Sequence, residues 1–554
     1  VRANQDGEGA MWIAPYEARM ESVGGVDAAG GQNNRQVIPL DFLPWWDLPV
    51  RSRSGADVEA IGLGVDVLVH NALQHSPHIQ SIATEPLIRG TSLLEEDAAF
   101  DWRAFLESNF VDTNDPIGNT LTTGNNDERF RDQNWSGQGG VRQRNRSGGE
   151  FEIAQRMGRQ ANNSRFLLPN PQGTTRLELS YTQPLLNGNG RAYNESRVVL
   201  AAIDTDVAKD EVVDKLQTHL LKVTEAYWDL YRSRAEWTQR KRVLQEAERV
   251  LASIESREGI DTVERQTLRA RAAVASRRSE IARAEGAIRN AESQLRLLVN
   301  DPILRNAAGA EFVPSDSPLL RYIPITMREG LGTALRNRPD ISQAIRDLSS
   351  ASVRTGVAKN ELLPQLDLVL STYVAGLEED ARIAQAFGNQ FAEGRPGFTI
   401  GLQYEVPLGN QAARARHERR RLEFARAADD FRATVEQALT ETEIAIREVD
   451  VAYAELCGRY EAMLAADRET AYLSDRWSVL PGIDDSVTLL LEDLLESQVR
   501  RADEESAFVR AEVSYVLALV RMRQATGTLL RMAPLESSFP TNDSGDLGLH
   551  SETP

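Results

Sequence analysis

The sequence predicts a mainly α fold with a small β part, organised as a two-fold internal repeat that places four strands in each chain. Three observations predict it. Two very long stretches lack helix breakers, short segments between them alternate apolar and polar residues, and the motifs joining strand to helix recur at a fixed offset. Taken in order, residues 1–60 are rich in Gly, Asn, Arg and Pro and hold no sustained period. They read as an irregular N-terminal arm, within which Leu43-Pro44-Trp45-Trp46 is suited to dock on a folded surface. A first repeat follows over 61–300, as helix, strand, long loop, strand and long helices. A linker over 301–333, a second repeat over 334–530 and a polar, disordered tail over 531–554 complete the chain.

The long helices come from what is missing. From Arg191 to Glu258 there is neither Gly nor Pro, and a helix of that span measures about 100 Å at ~1.5 Å per residue. Leu216, Leu220, Val223, Tyr227 and Leu230 recur at alternating four- and three-residue steps, so they form one stripe facing another helix. A second run extends from Gln411 to Leu480, interrupted only by Gly458, with Leu439, Thr442, Ile446, Val449, Tyr453 and Leu456 in the same rhythm. Each run meets a Gly-Ile-Asp break, at Gly259 and at Gly482, and a returning helix, Glu264 to Leu298 and Leu489 to Leu530.

The repeat is read by register. Tyr181-Thr182-Gln183-Pro184-Leu185 matches Tyr404-Glu405-Val406-Pro407-Leu408, an offset of 407 − 184 = 223, which also carries Gly259-Ile260-Asp261 onto Gly482-Ile483-Asp484. Upstream, Ala72-Leu73 with Pro77 and Ile79 matches Ala334-Leu335 with Pro339 and Ile341, an offset of 334 − 72 = 262. The difference, 262 − 223 = 39, is extra chain in the first copy between about Phe100 and Thr174. Its Asn/Gly/Arg/Gln-rich sequence, such as Ser136-Gly137-Gln138-Gly139-Gly140, reads as a long polar loop.

The strands flank that loop and its shorter counterpart. Phe398, Ile400, Leu402, Tyr404 and Val406 alternate with Thr399, Gly401, Gln403 and Glu405; Leu177, Leu179 and Tyr181 alternate with Glu178, Ser180 and Thr182. Leu366, Leu368 and Leu370 mark the strand before the second loop. A soluble sheet with one buried face produces this pattern, and so does an outer-membrane barrel with lipid outside and water inside. In the second case those eight apolar residues of the two strands that follow the loops face lipid. Four strands are too few to close a membrane barrel, for which about eight is the minimum, and open edges are not tolerated in lipid. Several chains would then share one barrel.

Composition narrows the function. The 63 Lys+Arg against 82 Asp+Glu give a formal charge of −19, which disfavours nucleic acid and anionic surfaces as partners. The single Cys457 offers neither a disulfide framework nor a thiolate cluster. No apolar run reaches the ~18 residues of a membrane-spanning helix. His70, His75 and His78 lack the helical spacing and converging third ligand of a metal site. Asn187-Gly188-Asn189-Gly190 lacks the Lys-Ser/Thr of a phosphate loop and reads as a strand-to-helix turn. No catalytic constellation is present in the sequence, so no enzyme, cofactor or metal is expected.

Several motifs coincide in order: Ala334-Leu335, Arg338-Pro339-Asp340-Ile341, Ala344, Ala358, Leu363-Pro364, Tyr404-x-x-Pro407-Leu408 and Leu494-Leu495-Glu496-Ser497-Gln498. With them the chain resembles TolC-like outer-membrane efflux or secretion channel protomers over roughly residues 61–530. The resemblance implies a homotrimer in which four strands from each chain form one shared β-barrel, continued through the periplasm by a long α-helical barrel. It implies a passive conduit for efflux or type I secretion, in the outer membrane, that engages a periplasmic adaptor and an inner-membrane transporter. It further implies an acidic pore constriction, which falls on Asp493 and Glu496; the spacing of three puts both on one helix face. Offset 223 places Ala270 and Ala273 at the matching positions of the first copy. The sequence departs from the family where Pro481-Gly482 lies further upstream of the acidic pair and Leu489 stands at a position that is basic in some members. The competing reading is a soluble, elongated coiled-coil adaptor or scaffold protein.

Overall fold

The computed structural model describes residues 36–53, 59–256, 264–307, 309–479 and 485–531. Both Gly-Ile-Asp breaks, Pro481-Gly482, most of the N-terminal arm and the tail beyond Arg531 lie outside these residues. The elements run α1 (Asp47–Val50), β1 (Ala60–Leu63), α2 (Val65–His75), α3 (Pro77–Asp97), β2 (Arg103–Pro116), β3 (Arg129–Arg144), β4 (Glu150–Asn162) and β5 (Gln172–Pro184). Then follow α4 (Arg191–Asn194), α5 (Ser196–Glu255), α6 (Glu264–Val299), α7 (Pro302–Asn306), β6 (Glu311–Pro314), α8 (Met327–Asn337) and α9 (Pro339–Asn360). The chain ends with β7 (Gln365–Glu379), α10 (Ile383–Ala392), β8 (Gly397–Glu405), α11 (Gln411–Val479) and α12 (Asp485–Ala525). The mainly helical class and the four long helices agree with the sequence. None of the described helices is long and apolar enough to cross a membrane.

The chain divides into two compact units. One gathers residues up to Gln80, Val213–Pro339 and Val435 onward; the other gathers Ser81–Val212 and Asp340–Thr434. In the first, both predicted stripes face inward. Leu220, Val223, Tyr227 and Leu230 are buried on α5, and Thr442, Ile446, Val449, Tyr453 and Leu456 on α11, with Leu216 and Leu439 half-buried at the stripe ends. Stripes of this spacing bury themselves because helices pack along such rows.

Into the same core runs the end of the arm. Trp46, Ile38 and Val50 are buried among Tyr231, Tyr453, Phe508 and Tyr515, so the Leu43-Pro44-Trp45-Trp46 segment docks through Pro44 and Trp46, while Leu43 stays exposed. Polar clasps hold it there. The Tyr231 hydroxyl donates to Asp47 at 3.0 Å and Trp45 Nε1 to Glu505 at 3.0 Å. The buried Arg234 guanidinium donates to the carbonyls of Val50 at 2.9 Å and Ser52 at 2.7 Å, so the arm's backbone acceptors are not left dry. A two-stranded parallel pair, β1 with β6, flanks this core.

The second unit carries a six-stranded sheet in the order β2-β3-β4-β5-β7-β8, antiparallel throughout. This corrects the expectation of four strands and of a polar loop over the 39 extra residues. The segment is an added hairpin. Its glycines mislead because they stand inside strands: a Cβ on Gly140 of β3 would lie 2.2 Å from the Ile153 carbonyl oxygen of β4, so close approach of the backbones excludes a side chain there. Below the sheet Arg346 bridges Asp206 at 3.1 Å and Asp210 at 2.7 Å, tying α9 to α5, and Arg89 joins α3 to Asp204 at 3.2 Å.

Candidate membrane face and pore constriction

Side chains alternate across a pleated sheet, so the register decides which residues share a face. On β7 and β8, Leu366 pairs with Tyr404, Leu368 with Leu402, Leu370 with Ile400 and Thr372 with Phe398. Across the other edge of β7, Leu370 meets Tyr181, Thr372 meets Leu179 and Val374 meets Leu177. The row continues, for Tyr181 meets Phe151 and Leu179 meets Ile153, Ile153 meets Val141, and Leu106 and Phe110 face Gly139 and Trp135. One face therefore carries apolar residues on all six strands, with Gln155 and Glu378 nearer its far end. The other holds Glu107, Gln138, Arg156, Arg176, Glu178, Ser371 and Gln403, where Arg156 and Arg176 lie 3.3 and 3.5 Å from Glu178.

The eight apolar residues singled out from sequence all belong to this alternation, although Val406 follows the last residue of β8. Phe398, Ile400, Leu402 and Tyr404 are 78, 72, 69 and 63 % exposed in the single chain, and Leu179 is 37 % exposed while Leu177 and Tyr181 are half-buried. An uncovered apolar surface of this extent marks an interaction site. Sequence reasoning missed the members on the added strands: Leu106, Phe110, Trp135, Val141, Phe151 and Ile153. A signal was there, since Phe151 and Ile153 alternate with Glu150 and Glu152, as do Trp135 and Val141 with Ser136 and Arg142, but the intervening glycines hid it.

Asp493 and Glu496 lie exposed on one side of α12, while Leu491, Leu494, Leu495, Ser497 and Gln498 are buried on the other. The buried side closes a small core with Val250, Ile254 and Ala270. Glu496 is not free: Arg500 donates to it at 3.2 Å and also reaches Glu469 at 3.1 Å. Leu489, at the departure from the family pattern, is 58 % exposed.

Burial corrects the assignment of first-copy equivalents. Offset 223 would match the exposed Asp493 to Ala270, which is 1 % exposed. Advancing by one superposes the patterns: Thr267, Ala270, Val274 and Arg277 fall on Leu491, Leu494, Gln498 and Arg501, all buried, with 501 − 277 = 224. Both matched arginines are buried and reach α5 with different partners. Arg277 donates to the carbonyls of Val243 at 3.2 Å and Leu495 at 2.9 Å, and Arg501 to Glu246 at 2.5 Å. The equivalents of Asp493 and Glu496 are thus Arg269 and Ala272, and exposed Arg269 pairs with Glu492 at 2.8 Å. Only the second copy supplies acid at these positions, and the first supplies a base beside it.

A polar-lined, apolar-backed sheet joined to long helical hairpins is the architecture of the TolC-like outer-membrane channels, and that is the fold of this chain. Solved structures make the likeness specific. The outer-membrane channel OprN matches at a TM-score of 0.59 and 16 % identity, over 84 % of this chain and 90 % of that one. The Campylobacter jejuni CmeC outer membrane channel matches at 0.60 and 15 %, over 84 % and 86 %, and the Neisseria gonorrhoeae MtrE outer membrane channel at 0.55 and 17 %, over 86 % and 94 %. No family model and no curated protein matches the chain.

Proposed function

We propose that this chain is the protomer of an outer-membrane channel, a passive conduit of a tripartite efflux or type I secretion system, and not an enzyme. One observation carries the reading: a six-stranded sheet with an apolar row on every strand of one face, whose two edges, β2 and β8, have no strand partner among the described residues. Backbone groups cannot remain unpaired in hydrocarbon. In lipid, β8 of one copy therefore pairs with β2 of the next, and the copies, three by resemblance, close a barrel with the polar face inward. The helical barrel continues the path into the periplasm, where an adaptor and an inner-membrane transporter engage it. At its end Asp493 and Glu496 form rings that attract cations. The alternative, a soluble coiled-coil adaptor or scaffold, leaves the apolar face uncovered in water.

Membrane fractionation with heat-modifiable gel mobility and size measurement in detergent tests this reading. The expected result is a heat-dissociable trimer in the outer-membrane fraction. A monomer in the soluble fraction refutes it.

A further inference from the structure

Between β7 and β8 the chain does not turn back directly but lays α10 against the sheet. Its underside is small and polar. Ala386 and Gln390 are buried, and Gln390 exchanges hydrogen bonds with Gln155 at 3.2 and 3.3 Å. Asn389 donates to Glu378 at 2.5 Å. The strand beneath makes room: a Cβ on Gly376 would lie 2.1 Å from the Ala386 carbonyl oxygen and 2.8 Å from the Gln390 nitrogen. Gly376 pairs with Thr175, and Thr175 with Met157, two residues along their strands from Val374, Leu177 and Gln155. These positions belong to the apolar face. The helix is therefore docked on the outside of the sheet, at the end remote from the long helices, where Val374 gives way to Glu378 on the same face of β7.

What α10 turns outward is aromatic. Phe387 and Phe391 are 41 and 61 % exposed, one helical turn apart, with ring centroids 5.7 Å apart and planes at 80°. Single exposed apolar residues are ordinary, but this pair stands together and is bounded by Glu379, Asp380 and Arg382 before the helix and Glu393 and Arg395 after it. The helix packs chiefly on β7 and β5, and less on β4. Closure of a barrel through the edge strands β2 and β8 places the seam one strand beyond β7, and the outward turn of the phenylalanines, away from the sheet, points them to the surrounding medium.

We propose that α10 is an interfacial anchor whose Phe387 and Phe391 enter the boundary between acyl chains and head groups of the outer leaflet, fixing the height of the barrel in the membrane. This rests on the apolar face meeting lipid. Aromatic side chains settle at that boundary, and a short amphipathic helix lying in its plane adds to the hold.

Nitroxide labels test it in the full chain with Cys457→Ala, reconstituted in phosphatidylethanolamine–phosphatidylglycerol vesicles. One label is placed by Phe391→Cys and one by Ile400→Cys, and collision with oxygen is compared with collision with a water-soluble nickel chelate. Both labels are expected to favour oxygen several-fold, with position 391 shallower than 400. A lipid-embedded 400 with a fully water-exposed 391 overturns the anchor and leaves the channel reading intact. Water exposure at both sites overturns the channel reading and the anchor with it. In a label-free arm, Phe387→Ala with Phe391→Ala is expected to slow folding from urea into vesicles several-fold while reaching the same heat-modifiable form; an unchanged rate overturns the anchor.

Discussion

Replacing Ile400 by Arg separates the two faces of the sheet at the cost of one residue. Ile400 is 72 % exposed in the single chain and its register partner is Leu370, so the substitution removes little packing within the protomer. What it changes is the medium around the side chain. An arginine on the lipid face near the bilayer midplane costs about 2–4 kcal/mol. In the proposed barrel of three copies that cost is incurred three times, about 6–12 kcal/mol, which is comparable to the ~5–15 kcal/mol that stabilises an ordinary domain. The control is the adjacent residue. Thr399→Arg points into the polar face beside Ser371, where a surface change is worth about ±0.5 kcal/mol. Both variants are refolded from urea into vesicles and scored by heat-modifiable mobility and protease protection. Ile400→Arg is expected to fail or to need far less urea to unfold, and Thr399→Arg to behave as the parent. Equal folding of the two would refute the assignment of the apolar face to lipid.

Two further outcomes are expected. Replacing Asp493 and Glu496 by Ala raises single-channel conductance in planar bilayers and weakens blockade by divalent cations by about tenfold or more, because a unit charge pair at ~4 Å in water is worth about 1 kcal/mol and a divalent ion doubles it. Since Arg500 already holds Glu496, Asp493→Ala alone should give most of the change, and unaltered blockade would return both residues to a solvated face. The second outcome concerns Glu512, which is buried near Asp47. Burial first, and then the Asp47 charge, hold its carboxyl well above the usual range. A folded-state pKa raised above the unfolded one gives stability that is complete below the unfolded value and lost as pH rises through the folded value. Glu512→Gln is therefore expected to raise the melting temperature at neutral pH, with the gain shrinking toward pH ~4.5, the ordinary carboxylate range. A gain independent of pH would refute this assignment.

The long helices were legible because their signals are local: absence of Gly and Pro, and stripes such as Leu220-Val223-Tyr227 whose burial follows from the helical period. The second-copy strands were legible for the same reason, since Phe398 to Tyr404 alternate without interruption. The added hairpin was not, because Gly137, Gly139 and Gly140 carry the meaning of a turn in isolation and acquire that of a strand only when β4 lies alongside. Register across the turn was equally hidden. A shift of one residue leaves every motif recognisable yet exchanges a buried Ala270 for an exposed Arg269 as the counterpart of Asp493, and only burial reveals it. Nor could sequence say that Trp46 enters a core built from residues far along the chain, or that α10 folds back onto the sheet.

On the proposed reading, the added hairpin also changes how a solute would meet the channel. Barrel diameter grows about linearly with strand number, so six strands per copy in place of four widen the outer mouth by about half and more than double its cross-section. Resistance along a water-filled path falls with cross-section. In the proposed channel the wider β portion would then limit flux less than a narrow helical end, the place proposed for Asp493, where Arg269 of the first repeat pairs with the neighbouring Glu492.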